Sequence, residues 1–179
     1  MIPLGYMAKR LRLEDWLNVD HLRDIYSVGP CMCPDFCDYI QHWRHNGYWF
    51  FNSPEDIVQL AAEESIGLAG IQTFYYEAHP QEYDADAHAW RPFQPEPSLP
   101  TAVQQPADAV LAGYDVVCYS GDNLPEHSPL SCNHLATEIE TNEHCLLDSL
   151  DTAIALLENG AFTNCEPGPY RIIAVYPLT

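Results

Sequence analysis

Six prolines between residues 80 and 106 (Pro80, Pro92, Pro95, Pro97, Pro100 and Pro106) divide this chain. Each locks its own φ and lacks an N–H, so regular helix and central strand are excluded from most of that span. Trp90 and Phe93 lie within it and are expected to pin it to the body, as an ordered crossing or a mobile lid. The sheet and helices must then come from the stretches on either side.

Before the proline-rich span, Leu13, Trp16, Leu17, Val19, Leu22, Ile25 and Tyr26 recur at mostly helical spacing, which predicts a helix over 13–28 ended by Gly29-Pro30. A second helix is expected from Pro34 to His45, on the stripe Phe36, Tyr39, Ile40 and Trp43. Tyr48–Phe51 reads as a short aromatic strand. Asn52-Ser53-Pro54-Glu55-Asp56 is a helix start: a capping oxygen, a proline at the first turn and acids at the positive end of the dipole. Ile57, Val58, Leu60 and Ala61 form its expected buried stripe, and 71–78 reads as the next strand.

After the prolines, 114–119 is a strand followed by a loop to Asn133. His144–Leu147, a capped helix over 149–158 and a strand over 170–176 complete the chain. Two stretches parallel each other: Asn46–Ser53 with its helix and strand to 78, and Asn142–Ser149 with its helix and strand to 176. Asn46 falls on Asn142, Phe50 and Phe51 on Leu146 and Leu147, and Ser53 on Ser149. Duplication and chance similarity of two capped units both account for this. The expectation is a single α+β domain over 1–179. It has a mixed sheet with two strand–helix–strand units, joined by right-handed crossovers, and N-terminal helices packed alongside.

Charge is distributed as unevenly as proline. The first 44 residues carry five cations against six acids. Beyond them twenty acids face only Arg91 and Arg171, which leaves −18 of the formal −19 in that part. An aromatic share of 12% and no acidic run longer than two describe the solvated faces of folded elements rather than a disordered tail. Such a surface repels polyanions and attracts basic partners over about 8–10 Å at ordinary ionic strength. Nucleic-acid binding is not expected, because phosphate contacts need basic residues. No apolar stretch reaches about 18 residues, so no membrane span is expected. Seven cysteines at irregular spacing, with no signal-peptide pattern in the first residues, fit a cytoplasmic setting and free thiols.

Three constellations bear on chemistry. Cys31, Cys33 and Cys37, with His42 downstream, hold the ligand types of a tetrahedral zinc site, although the spacing C-x-C-x3-C-x4-H is not a common structural-zinc pattern. In the loop 126–134, Cys132 and His134 offer a thiol and a base, the parts of a small cysteine enzyme. Tyr75, Tyr76, Glu77, Glu82, Tyr83, Asp84, Asp86 and Trp90 mix acids and aromatics most closely and are the expected contacts for a basic protein.

Ser128-Pro-Leu-Ser-Cys-Asn133, Asn142-Glu-His-Cys-Leu-Leu147 and Glu166-Pro-Gly-Pro-Tyr-Arg-Ile172 resemble a motif set of bacterial proteins with no assigned activity. That resemblance spans about 113–176 and transfers no catalytic residue. In general character, as a small acidic α+β chain, the protein is similar to immunity proteins of bacterial toxin systems. The functional expectation is a cytoplasmic, non-catalytic protein that neutralises or sequesters a basic protein; a thiol enzyme centred on Cys132 is the alternative.

Overall fold

The structure, a computed structural model, describes residues 1–11, 17–29, 46–93, 102–119 and 127–178. Among these, five strands form one sheet: β1 (Ile2–Arg10), β2 (Ile71–Asp84), β3 (Ala89–Pro92), β4 (Gly113–Cys118) and β5 (Tyr170–Pro177). The order is β1-β2-β5-β4, with β3 paired to the outer part of β2, and every pairing is antiparallel. The helices are α1 (Pro54–Glu63), the single turn α2 (Pro129–Cys132) and α3 (Leu150–Glu158), with a 3-10 turn at Leu135–Thr137.

The expected mixed sheet with two strand–helix–strand units is overturned by this topology. Tyr48–Phe51 and His144–Leu147 are turns rather than strands, with Trp49 at φ 67° and Cys145 at φ 62°. Each touches the sheet through one bridge, Phe51 to Tyr6 and Leu147 to Tyr114. They are apolar because both residues of each pair, Phe50 with Phe51 and Leu146 with Leu147, are buried in the core. Leu146 belongs to the buried cluster that holds Phe74, Tyr76 and Val175, while Leu147 belongs to the one that holds Val116, Ile172 and Leu157. A turn wedged into a core thus carries the same composition as a strand buried on both faces.

The two turns are built alike. Asn46 Nδ2 donates to Leu4 O (2.7 Å) and its Oδ1 accepts from Tyr48 N (3.2 Å). Asn142 Nδ2 donates to Ala112 O (2.8 Å) and its Oδ1 accepts from His144 N (3.0 Å). A glycine faces each turn from the neighbouring strand. A Cβ on Gly5 (φ +132°) would lie 2.3 Å from Phe51 O, and one on Gly113 (φ +151°) would lie 2.8 Å from Leu147 O. Ser53 and Ser149 then cap α1 and α3, accepting from Asp56 N and Thr152 N, as expected from the sequence.

Other sequence expectations change for identifiable reasons. Residues 17–29 are not helical, because their backbone donors bond to other segments: Arg23 N to Glu143 O (2.9 Å), Tyr26 N to His144 O (3.1 Å), and Val28 N to Asp115 Oδ2 (2.8 Å). The start of that helix and the whole helix expected over 34–45 lie outside the described residues. Strand β2 runs past Pro80, where its pairing with β5 breaks between Ala78 and Glu82; a residue without an N–H is tolerated at such an irregularity. Its outer part folds back through 85–88 onto β3, and Phe93 N bonds to Pro80 O (2.9 Å). Phe93 is buried, as expected of a pinning residue.

Antiparallel register places Tyr6, Tyr75 and Tyr176 side by side, with ring centroids 5.2 and 5.6 Å apart. Alternation puts Tyr170 and Ile172 on the same side of β5 as Tyr176, and both share a buried cluster with Ala153 and Leu157 of α3. Helix α1 buries Ile57, Leu60 and Ala61, and Glu55 in its first turn acts on the Tyr6 phenol. Helix α1 lies against β1, and α3 against β4 and β5. The irregular segment also packs on the sheet: Tyr26 lies edge-on to Phe74 at 4.8 Å, and Leu17, Leu22 and Ile25 join the buried cluster that holds Ala153 and Leu157.

Candidate partner-binding surface

The described cations are interior or held locally. Lys9 (1% exposed) and Arg171 (3% exposed) lie in the core. The Arg171 guanidinium sits between the rings of Phe93 (3.9 Å) and Tyr119 (4.0 Å), and its Nε donates to Glu82 Oε2 (2.9 Å). The other Glu82 oxygen accepts from Arg91 Nε (2.7 Å), whose Nη1 reaches Asp84 (3.3 Å). Arg23 lies against Asp24 (3.5 Å) and Glu143 (3.3 Å). Arg10 donates to the carbonyls of Ala69 (2.8 Å) and Gly67 (3.4 Å).

The helical layer carries the opposite charge. Neither α1 nor α3 contains Lys, Arg or His. Glu55, Glu63 and Glu64 in and after α1, and Asp148, Asp151 and Glu158 before and within α3, are all exposed. The core-facing residues of each helix are apolar, so the carboxylates are confined to the solvent side. Val58, expected in the buried stripe, is instead 55% exposed beside them.

The eight expected contact residues divide by burial. Tyr75, Tyr76, Glu77, Glu82 and Tyr83 are interior and have no surface to offer a partner. Strand alternation in the sequence could not reveal this, because both faces of β2 are covered. Tyr75 and Tyr176 donate their phenols to Glu77 (3.1 and 2.9 Å), and burial with that carboxylate pushes both phenols up from their ordinary value. Asp86 is exposed, while Asp84 and Trp90 are half-buried. Trp90 packs on Tyr83 (5.2 Å) and donates to Glu158 (2.9 Å), joining the β2–β3 hairpin to the acidic layer. No aromatic side chain is among the exposed large hydrophobic residues of the described chain.

The alternative thiol site takes another form. Cys132 ends α2 half-buried, with Ser131 Oγ 3.8 Å from its sulfur. His134 sits exposed in a left-handed conformation, starting the 3-10 turn with its carbonyl. His144 is hydrogen-bonded to Asp24 and stacked on Tyr26 at 4.0 Å. Helix α2 packs on β4, which carries Asp115. Asp115 itself is fully buried: its Oδ2 accepts from Val28 N (2.8 Å) and Ser128 Oγ (2.6 Å), and its Oδ1 has no hydrogen-bond partner among the described residues. Burial pushes its carboxyl up to about 6. Sequence reading missed this residue, because an acid within Tyr114–Tyr119 reads as a solvent-facing strand position.

Cys31, Cys33, Cys37 and His42, the expected zinc ligands, lie outside the described residues. Among the described residues no group of three or more His, Cys, Asp and Glu is placed to hold a metal ion, and no helix is long and apolar enough to cross a membrane. Comparison with protein-family models, with curated proteins and with solved structures finds no match to this chain.

Proposed function

We propose that this protein is a non-catalytic binding protein whose acidic helical layer receives a basic protein, in the manner of an inhibitor or immunity protein. One observation carries the reading: α1 and α3 expose carboxylates with no cation on either helix. The described lysine and arginines, meanwhile, are buried or clasped at other places. Such a surface steers a cationic partner and rejects polyanions. Half-buried Trp90, tied to Glu158, supplies an aromatic edge beside the acids.

The test is retention of proteins on the immobilised chain across a salt series. Basic proteins, with isoelectric points above about 9, are expected to bind at low salt and elute progressively as the Debye length falls from about 10 to about 3 Å. A variant with Glu55→Gln, Glu63→Gln, Asp151→Asn and Glu158→Gln is expected to fold normally and retain them poorly. Retention that ignores salt and these four substitutions overturns the reading.

A further inference from the structure

The geometry points to a second feature of the same surface: a cleft that receives an arginine side chain of the basic partner. The proposal rests on the reading above and names the group that anchors it. An open cleft of about 350 Å³ lies between the turn after β2, with Asp86, and the loop after α3, with Thr163, Glu166 and Pro167. Phe162 and Tyr170 form its floor, and His88 is also at its edge. A smaller hollow continues it past Tyr83 and Leu157. The size suits one long side chain, and the apolar floor suits the methylene stem of such a group.

Polar chemistry selects the head group. Neither hollow is lined by Lys or Arg, while Asp86 and Glu166 both line the cleft. Glu166 is held by Asn133, whose Nδ2 donates to Oε1 (3.3 Å). The two remaining oxygens of this pair, Glu166 Oε2 and Asn133 Oδ1, are withdrawn from water and have no hydrogen-bond partner among the described residues. Unsatisfied buried acceptors destabilise the free protein and are relieved by a ligand that brings donors. The planar carboxylates of Glu166 and Asp86, which line the cleft, match the paired N–H groups of a guanidinium, whereas an ammonium offers a point charge with no fork. Glu166 is half-buried and lines the cleft. The Tyr170 phenol does not compete, because it donates to the carbonyls of Phe162 and Glu166.

Nuclear magnetic resonance titration of the full chain with N-acetyl-arginine amide tests this, with the lysine and citrulline amides as comparators. The expected result is saturable shifts confined to residues 85–88 and 162–167, at a concentration about tenfold lower for arginine than for either comparator. Glu166→Gln keeps an acceptor for Asn133 Nδ2 and gains a donor for Asn133 Oδ1. That variant is expected to be at least as stable as the parent and to bind the arginine probe at least fivefold more weakly. Thr163→Trp, at an exposed position on the rim, fills the cleft and is expected to abolish the shifts without unfolding the protein. Shifts spread over the whole acidic surface, or equal binding of arginine and citrulline, overturn the proposal. If basic proteins are still retained by the Glu166→Gln and Thr163→Trp variants, the cleft fails while the acidic surface stands. If none is retained even by the parent chain, the broader reading fails first.

Discussion

At the scale of single residues, Asp115 makes the most definite statement about stability. Its folded value is raised to about 6 by burial, above the ordinary value near 3.8. The folded state therefore holds the proton more tightly than the unfolded chain, so the contribution is greatest at low pH and is lost as pH rises through about 6. A shift of about two units corresponds to roughly 3 kcal/mol. Urea unfolding at pH 5 and pH 7.5 is expected to show the parent losing about 1.4 kcal/mol, roughly half of that total, on going to the higher pH, with a flatter dependence in Asp115→Asn. Equal slopes in the two proteins would remove Asp115 as the cause. Gly5 and Gly113 each let a strand approach a carbonyl more closely than any Cβ permits. Gly5→Ala and Gly113→Ala are each expected to destabilise by about 3 kcal/mol or more, through strain at positive φ and the clash. Gly67→Ala, with nothing within 4 Å of the added carbon, is expected to leave the melting temperature nearly unchanged.

At the scale of elements, caps were readable and turns were not. Ser53-Pro54 and Ser149 announce α1 and α3 through local chemistry, which depends on the few residues around each helix start. Replacing either serine by alanine is expected to cost about 1 kcal/mol in thermal or urea unfolding. Asn46→Ala and Asn142→Ala are expected to cost more, about 2–3 kcal/mol each, because each amide closes its own turn and also holds a neighbouring strand's carbonyl. A smaller effect than that of the serine caps would show that the turns are held by Phe50, Phe51, Leu146 and Leu147 alone. Those apolar pairs misled strand assignment for a physical reason: burial on two sides is common to central strands and to wedged turns. Residues 17–29 misled in the same way, since apolar spacing close to a helical period says nothing about which carbonyls its N–H groups will find.

At the scale of the whole molecule, the sheet sorts the charges. Its core takes in Lys9 and Arg171 together with Glu77, Glu82 and Asp115, and α1 and α3 expose acids with no cation on either helix. Binding of a basic partner is therefore expected to slow markedly with added salt, chiefly in the association rate measured by stopped flow or surface plasmon resonance. A salt effect carried only by dissociation would contradict electrostatic steering. The imbalance of acids over cations, the two capped helices, β5 and the strand over 113–118 follow from the chain itself, because charge, capping oxygens and β-branched runs act locally. Tertiary structure alone decided that Tyr75, Tyr76 and Glu82 are interior, that β2 continues past Pro80, and that two apolar turns brace the sheet. Each of these depends on which distant segment covers a given face, and that choice is made by packing of the whole chain.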